Sequence, residues 1–125
     1  MRLLKLLLPL LVGLTAVSAV AGYKNGVPLD LNTTYKYAYG QVSTVRTSAN
    51  TTERIGCSIN SATESECYAI NAQNVEARCK TTDPTLRKAI QMINSTSFIY
   101  FAWTSNGGAN VCSRIVVENN SYNLR

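Results

Sequence analysis

The chain has 125 residues with four cysteines and no histidine, and its 12 basic and 7 acidic side chains give a formal net charge of +5. Histidine is the commonest general base, nucleophile activator and metal ligand, so its absence excludes Ser-His-Asp, Cys-His and mixed zinc sites within this chain. The basic residues are scattered rather than clustered with aromatic residues, which argues against nucleic acid as a partner.

The first 21 residues have the pattern of a secretory signal peptide. Arg2 and Lys5 form a positively charged start, residues 6–17 are almost wholly apolar, and Ala19-Val20-Ala21 fits the small-x-small cleavage rule. A membrane anchor is the alternative, but this apolar run is shorter than the roughly 20 residues of a spanning helix. We therefore predict a signal peptide over residues 1–21 and a secreted protein, extracellular or periplasmic, with no membrane span after its removal.

Residues 22–125 are then expected to form one disulfide-bonded β-rich domain. Export makes its cysteines oxidisable, and their even number predicts two disulfides. Three connectivities are open, and we favour Cys57–Cys67, which would close a hairpin at the polar stretch Asn60–Glu66, together with Cys79–Cys112. No pair of cysteines has the C-x-x-C spacing of a redox or zinc site, so neither a metal nor another cofactor is predicted.

The domain begins with strand-forming patterns. Tyr35–Arg46 is rich in residues that favour strands, with Tyr35, Tyr37 and Tyr39 alternating on one face, and Gly40 is expected to mark a bulge. Five further strands are predicted, the last two joined by a glycine-rich turn: Arg54–Ile59, Cys67–Asn71, Val75–Lys80, Phe98–Trp103 and Val111–Glu118. The strand Phe98–Trp103 is apolar on both faces, which is typical of a strand inside a sheet.

One helix is predicted between the strands Val75–Lys80 and Phe98–Trp103. Asp83 suits the N-cap position, and Pro84 suits the first helical position because its missing N–H costs nothing there. The helix should face the core with an apolar stripe, made of Leu86, Ala89, Ile90 and Ile93. Its opposite side should face solvent with Arg87, Lys88 and Gln91.

The predicted order of elements is β-β-β-β-α-β-β. Short connections between consecutive strands indicate antiparallel pairing. The expected fold class is therefore mainly β (α+β), a single antiparallel curled sheet or a small sandwich with one short helix on one face or end.

The domain resembles a group of small exported bacterial proteins of unknown function with four cysteines. The resemblance covers roughly residues 55–122 and rests on Gly56-Cys57, Cys67-Tyr68-Ala69, Cys79-x-Thr81-x-Asp83-Pro84, Ile90-x-x-Ile93, Ser97-Phe98-Ile99-Tyr100-Phe101, Cys112 and Asn119-x-Ser121-Tyr122. These are cysteine, core and helix-cap positions, so the resemblance implies a secreted domain of this fold class and implies no activity.

Paired carboxylates are the remaining route to an enzyme. The domain has seven acidic residues, and no two of them stand out as a pair: Asp30, Glu53, Glu64, Glu66, Glu76, Asp83 and Glu118. We therefore expect no catalytic residue, and a small carboxylate-based hydrolase is the most distant alternative.

The leading candidate contact surface is the row of Tyr35, Tyr37 and Tyr39, since tyrosine combines a broad apolar ring with a polar hydroxyl. The alternative, which the pattern favours, is a strand that packs this aromatic side on the core. Trp103 near the glycine-rich turn is a second candidate contact, and it also suits the core beneath the helix.

These features predict a monomeric binding module without catalytic activity, whose ligand is an extracellular or cell-surface polysaccharide or protein. A secreted inhibitor or a toxin-like effector is the alternative, and a protruding disulfide-braced loop at residues 60–66 would favour the inhibitor.

Overall fold

The computed structural model describes residues 26–120, so the predicted signal peptide lies outside the described residues. This part of the chain folds into seven strands and two helices in the order β1 (Asp30–Asn32), β2 (Tyr37–Gln41), α1 (Val42–Arg46), β3 (Arg54–Ile59), β4 (Ser65–Ile70), β5 (Glu76–Thr81), α2 (Pro84–Gln91), β6 (Phe98–Asn106) and β7 (Ala109–Glu118). The predicted mainly-β class is confirmed. The predicted order was wrong, because it lacked β1 and α1.

All seven strands belong to one mixed sheet with the order β1-β2-β6-β7-β5-β4-β3. Neighbouring strands are antiparallel except β5 and β7, which pair in parallel at Lys80 and Val111. The sheet curls, since α1 extends from β2 and contacts β3 near the opposite edge. A two-sheet sandwich is therefore not formed, and β6 is an interior strand as its apolar composition predicted.

Gly40 does not mark a bulge. It pairs in register with Ile99, and a Cβ at this position would lie 3.0 Å from Val45 Cγ2 and 3.3 Å from Leu29 Cα. The glycine therefore permits close packing of α1 and the segment before β1 on β2. The helix α1 was missed because its residues, Val-Ser-Thr-Val-Arg, have weak intrinsic helix propensity and form a helix here through the burial of Val45.

The bulge lies instead between β6 and β7. Ala102 pairs with Arg114 and Trp103 pairs with Cys112, which leaves Ser113 without an opposite residue. Strict alternation would put residues 112 and 114 on the same face of β7. The extra residue lets Cys112 and Ile115 both enter the core and turns Arg114 to the other side of the sheet.

The concave face of the sheet forms the core together with α1 and α2. Phe101 and Trp103 are its largest side chains, with ring centroids 5.9 Å apart. The buried apolar residues are Ala38, Val45, Ile55, Cys67, Ala69, Ala77, Cys79, Ile90, Ile99, Phe101, Trp103, Cys112 and Ile115. Trp103 is thus a core residue and not a surface contact for a ligand.

Two disulfides join the four cysteines in the favoured connectivity. Cys57–Cys67 links the paired strands β3 and β4, and Cys79–Cys112 links β5 to β7. No cysteine in the described residues is free. Both bridges fit a small disulfide-stabilised domain of the kind found in oxidising compartments.

The helix α2 begins as predicted. Asp83 Oδ1 accepts hydrogen bonds from the backbone N–H groups of Thr85 (2.7 Å) and Leu86 (3.1 Å), and Ile90 is buried. Arg87 does not simply face solvent. Its guanidinium donates to the backbone oxygen of Ser61 (3.1 Å) and to Ser65 Oγ (3.3 Å), so it fixes the loop between β3 and β4.

These contacts predict graded effects of alanine substitutions in α2. Ile90→Ala should lower the free energy of unfolding by about 2–5 kcal/mol, because it removes buried methyl groups and leaves a cavity. Arg87→Ala should cost about 1 kcal/mol through its lost hydrogen bonds, and exposed Lys88→Ala should stay within about 0.5 kcal/mol. Urea unfolding measures all three, and equal costs for Arg87→Ala and Lys88→Ala would contradict the bridging role.

The disulfides should contribute unequally to stability. Cys79 and Cys112 are separated by 33 residues and Cys57 and Cys67 by 10. The loop-entropy model gives about 4 kcal/mol for the longer loop and about 3 kcal/mol for the shorter one. Replacing Cys79 and Cys112 together by alanine should therefore lower the urea midpoint more than the same change at Cys57 and Cys67, and the reverse ranking would contradict this assignment.

Candidate functional site

The convex side of the sheet carries a cluster of aromatic side chains on strands β2 and β6. Strand register places Asp30, Tyr39, Tyr100 and Val116 in one row across β1, β2, β6 and β7. The adjacent row contains Asn32, Tyr37, Ala102 and Arg114. We call Tyr37, Tyr39, Phe98 and Tyr100 the aromatic face.

The four rings of the aromatic face contact one another. The Tyr37 and Tyr39 rings are nearly parallel, at an angle of 11° with centroids 6.0 Å apart. Tyr37 also stacks on Tyr100 at 6.2 Å, and Tyr39 meets Phe98 at 6.0 Å. Each of the four side chains is half-buried, so the cluster is ordered by its own contacts and still presents surface to solvent.

Packing on the concave side explains why these tyrosines point outward. The alternate residues of β2, Ala38 and Gly40, are fully buried beneath α1 and Leu29. The close contacts at Gly40 leave no room for large side chains on that side of the strand. The larger residues of β2 therefore lie on the convex face, contrary to the core placement that the sequence pattern favoured.

Asp30 lies at the β1 edge of the aromatic face. The Tyr37 hydroxyl donates a hydrogen bond to Asp30 Oδ2 at 3.4 Å. Burial raises the pKa of Tyr39, and hydrogen bonding to Asp30 and the negative charge of its carboxylate raise it further. The Tyr39 hydroxyl therefore stays protonated to a higher pH than the hydroxyl of a free tyrosine.

Arg114 lies at the opposite edge of the same face, on β7. Its guanidinium carbon is 5.7 Å from the centroid of the Tyr100 ring, within the range of a cation–π contact. Among residues 26–120, none of the ion pairs involves Arg114. Beside it, a shallow depression of about 280 Å³ is lined by Phe98, Tyr100, Arg114 and Val116.

The predicted contact residues are only partly brought together. Tyr37 and Tyr39 lie on the aromatic face, whereas Tyr35 is 77% exposed in the turn between β1 and β2. Trp103 is 6% exposed and belongs to the core. Phe98, Tyr100 and Arg114 were not predicted as surface residues. The alternation of residues along the apolar strand β6 places Phe98 and Tyr100 on one side of the sheet, so the sequence did indicate that these two share a face.

A second arginine–tyrosine contact on the convex side differs from that of Arg114 because its arginine is paired with carboxylates. Arg78 lies 5.2 Å from the Tyr68 ring centroid, and it also forms ion pairs with Glu66 (2.7 Å) and Glu76 (2.8 Å). The hydrogen bond to Glu76 is the main cause that raises the pKa of Arg78. The charge of this arginine is thus neutralised by neighbouring carboxylates, unlike that of Arg114.

The described concavities do not bring two acidic residues face to face. A cleft of about 320 Å³ between α1 and β3 has one carboxylate in its lining, that of Glu53, and this side chain accepts a hydrogen bond from Ser48 at 2.7 Å. Over residues 26–120, no group of three or more acidic or cysteine side chains is placed to hold a metal ion.

The loop between β3 and β4 is exposed at residues 59–63 and is held by hydrogen bonds. Backbone N–H groups of Asn60 and Ser61 both donate to the carbonyl oxygen of Glu64, and Arg87 holds the loop to α2. These contacts brace the loop, and the inhibitor alternative stays a prediction.

No protein-family model, curated protein or solved structure matches this chain. No helix within residues 26–120 is long and apolar enough to span a membrane.

Proposed function

We propose that the protein is a secreted, monomeric, noncatalytic binding module that holds a polysaccharide against its aromatic face. The observation that carries this proposal is the cluster of four half-buried rings on the side of the sheet opposite the core. Secretion is supported by the signal-peptide pattern and by the two disulfides.

The chemistry of the aromatic face suits sugar rings. The aromatic rings supply apolar area for the C–H faces of a sugar, and tyrosine hydroxyls supply hydrogen bonds at the same place. Asp30 adds a carboxylate that accepts hydrogen bonds from sugar hydroxyls, and Asn32 adds an amide beside it. Four adjacent strands make this surface about 14 Å wide, which is enough for a polymer rather than one small molecule.

The placement of the acidic residues supports a noncatalytic role. Glu64, Glu66 and Glu76 pair with Lys80 or Arg78. Hydrogen bonds from Asn60 and Lys80 lower the pKa of Glu64, which holds it in the charged form rather than as a general acid. Asp83 caps α2, so most of the carboxylates already have structural partners.

A double substitution on the aromatic face tests the proposal. Tyr37→Ser with Tyr39→Ser should weaken polysaccharide binding by tenfold or more, since the loss of each contact ring costs about 1–2 kcal/mol. Binding is measured by affinity electrophoresis against a panel of soluble polysaccharides, and folding by near-ultraviolet circular dichroism.

Two substitutions serve as matched controls. Tyr68→Ser removes a half-buried tyrosine from another part of the convex side, and Tyr35→Ser removes the exposed ring of the turn. Both should bind as the native protein does. Should the double variant prove unfolded, Tyr37→Ala and Tyr39→Ala are tested singly. Native affinity in folded aromatic-face variants, or an equal loss in Tyr68→Ser, would refute the assignment.

A further inference from the structure

We propose that the polysaccharide is carboxylated, a polymer of uronic acids, and that Arg114 is the residue that selects its carboxylate. This inference rests on the proposed function and adds a chemical class to it. Arg114 lies at the edge of the aromatic face and has no carboxylate partner among the described residues.

Arg114 is exposed and contacts the Tyr100 ring, and within residues 26–120 no carboxylate neutralises it. Its guanidinium lies over the Tyr100 ring, which orients the group while leaving its N–H donors available. Arg78 provides the contrast within the same protein, because its guanidinium over Tyr68 is paired with two glutamates. A planar guanidinium that is oriented and unpaired is suited to bidentate recognition of a carboxylate.

The surroundings of Arg114 provide room for the sugar ring that carries the carboxylate. Ala102 is the residue opposite Arg114 on β6, and its small side chain leaves space between Tyr37 and Arg114. The depression formed by Phe98, Tyr100 and Val116 adjoins the guanidinium. A sugar ring against these apolar side chains would place a carboxylate substituent beside Arg114.

Two acidic residues share the convex face with Arg114. Asp30 lies three strands away in the neighbouring row, roughly 16 Å between backbone positions, and Glu118 lies four residues along β7, about 13 Å. Neither carboxylate forms an ion pair with Arg114 within residues 26–120. Residues 22–125 contain 10 basic and 7 acidic side chains, and this net charge of +3 further favours an anionic polymer over a neutral one.

A pair of chemically matched polymers tests the inference. Polygalacturonate carries free carboxylates, and its fully methyl-esterified form carries none on the same backbone. The native protein should bind polygalacturonate about tenfold more tightly in isothermal titration calorimetry. Arg114→Gln should abolish this preference while keeping its affinity for the ester, and Arg114→Lys should retain part of it. Arg78→Gln is the control and should retain the full preference.

The outcomes separate this inference from the proposed function. Equal binding of both polymers by the native protein, unchanged in Arg114→Gln, would overturn the carboxylate inference and leave the aromatic face as a sugar-binding surface. An equal loss in Arg78→Gln would also overturn it, because net charge rather than Arg114 would then set the preference. Binding of neither polymer, together with no binding to any other polysaccharide, would overturn both proposals.

Discussion

The sheet depends on the junction between β5 and β7, where two antiparallel groups of strands meet. Backbone pairing there is limited to Lys80 and Val111, and the Cys79–Cys112 disulfide covalently joins the residues beside them. Asn110 Nδ2 adds a hydrogen bond to the Arg78 carbonyl oxygen. Because α2 connects β5 to β6 across this junction, its apolar side packs where the two groups converge. Together these contacts keep a seven-stranded sheet continuous and leave the convex side of β1, β2, β6 and β7 uncovered.

Much of the fold could be predicted from local patterns. Asp83-Pro84 marks a helix start through capping chemistry that needs no tertiary information. The alternating apolar residues of β3, β4 and β5, and the Gly107-Gly108 turn, are similarly local signals. The helix α1 could not be predicted, because its formation depends on the burial of Val45 in the core rather than on the helix propensity of its own residues. Pairing of β1 is likewise decided by β2 rather than by its three residues alone.

The candidate site was less accessible to sequence reasoning than the fold. Alternation identified Tyr37 and Tyr39 as one side of a strand, but it carries no information on which side is buried. That choice is made by the crowded packing around Gly40. Arg114 was hidden by the bulge at Ser113, since strict alternation from the bridged Cys112 would have turned its side chain into the core. Predicting which residues contact a ligand therefore requires the strand register and the packing as well as the sequence pattern.

The convex surface of β2, β6 and β7 is the proposed contact surface for the ligand. The most direct measurement is a two-dimensional ¹H–¹⁵N NMR titration of the protein with an oligogalacturonate. We expect the largest shift changes at Tyr37, Tyr39, Tyr100 and Arg114, while residues of α2 and of the cleft beside α1 stay unchanged. Shift changes concentrated in the α1–β3 cleft or along α2 would contradict this placement of the ligand.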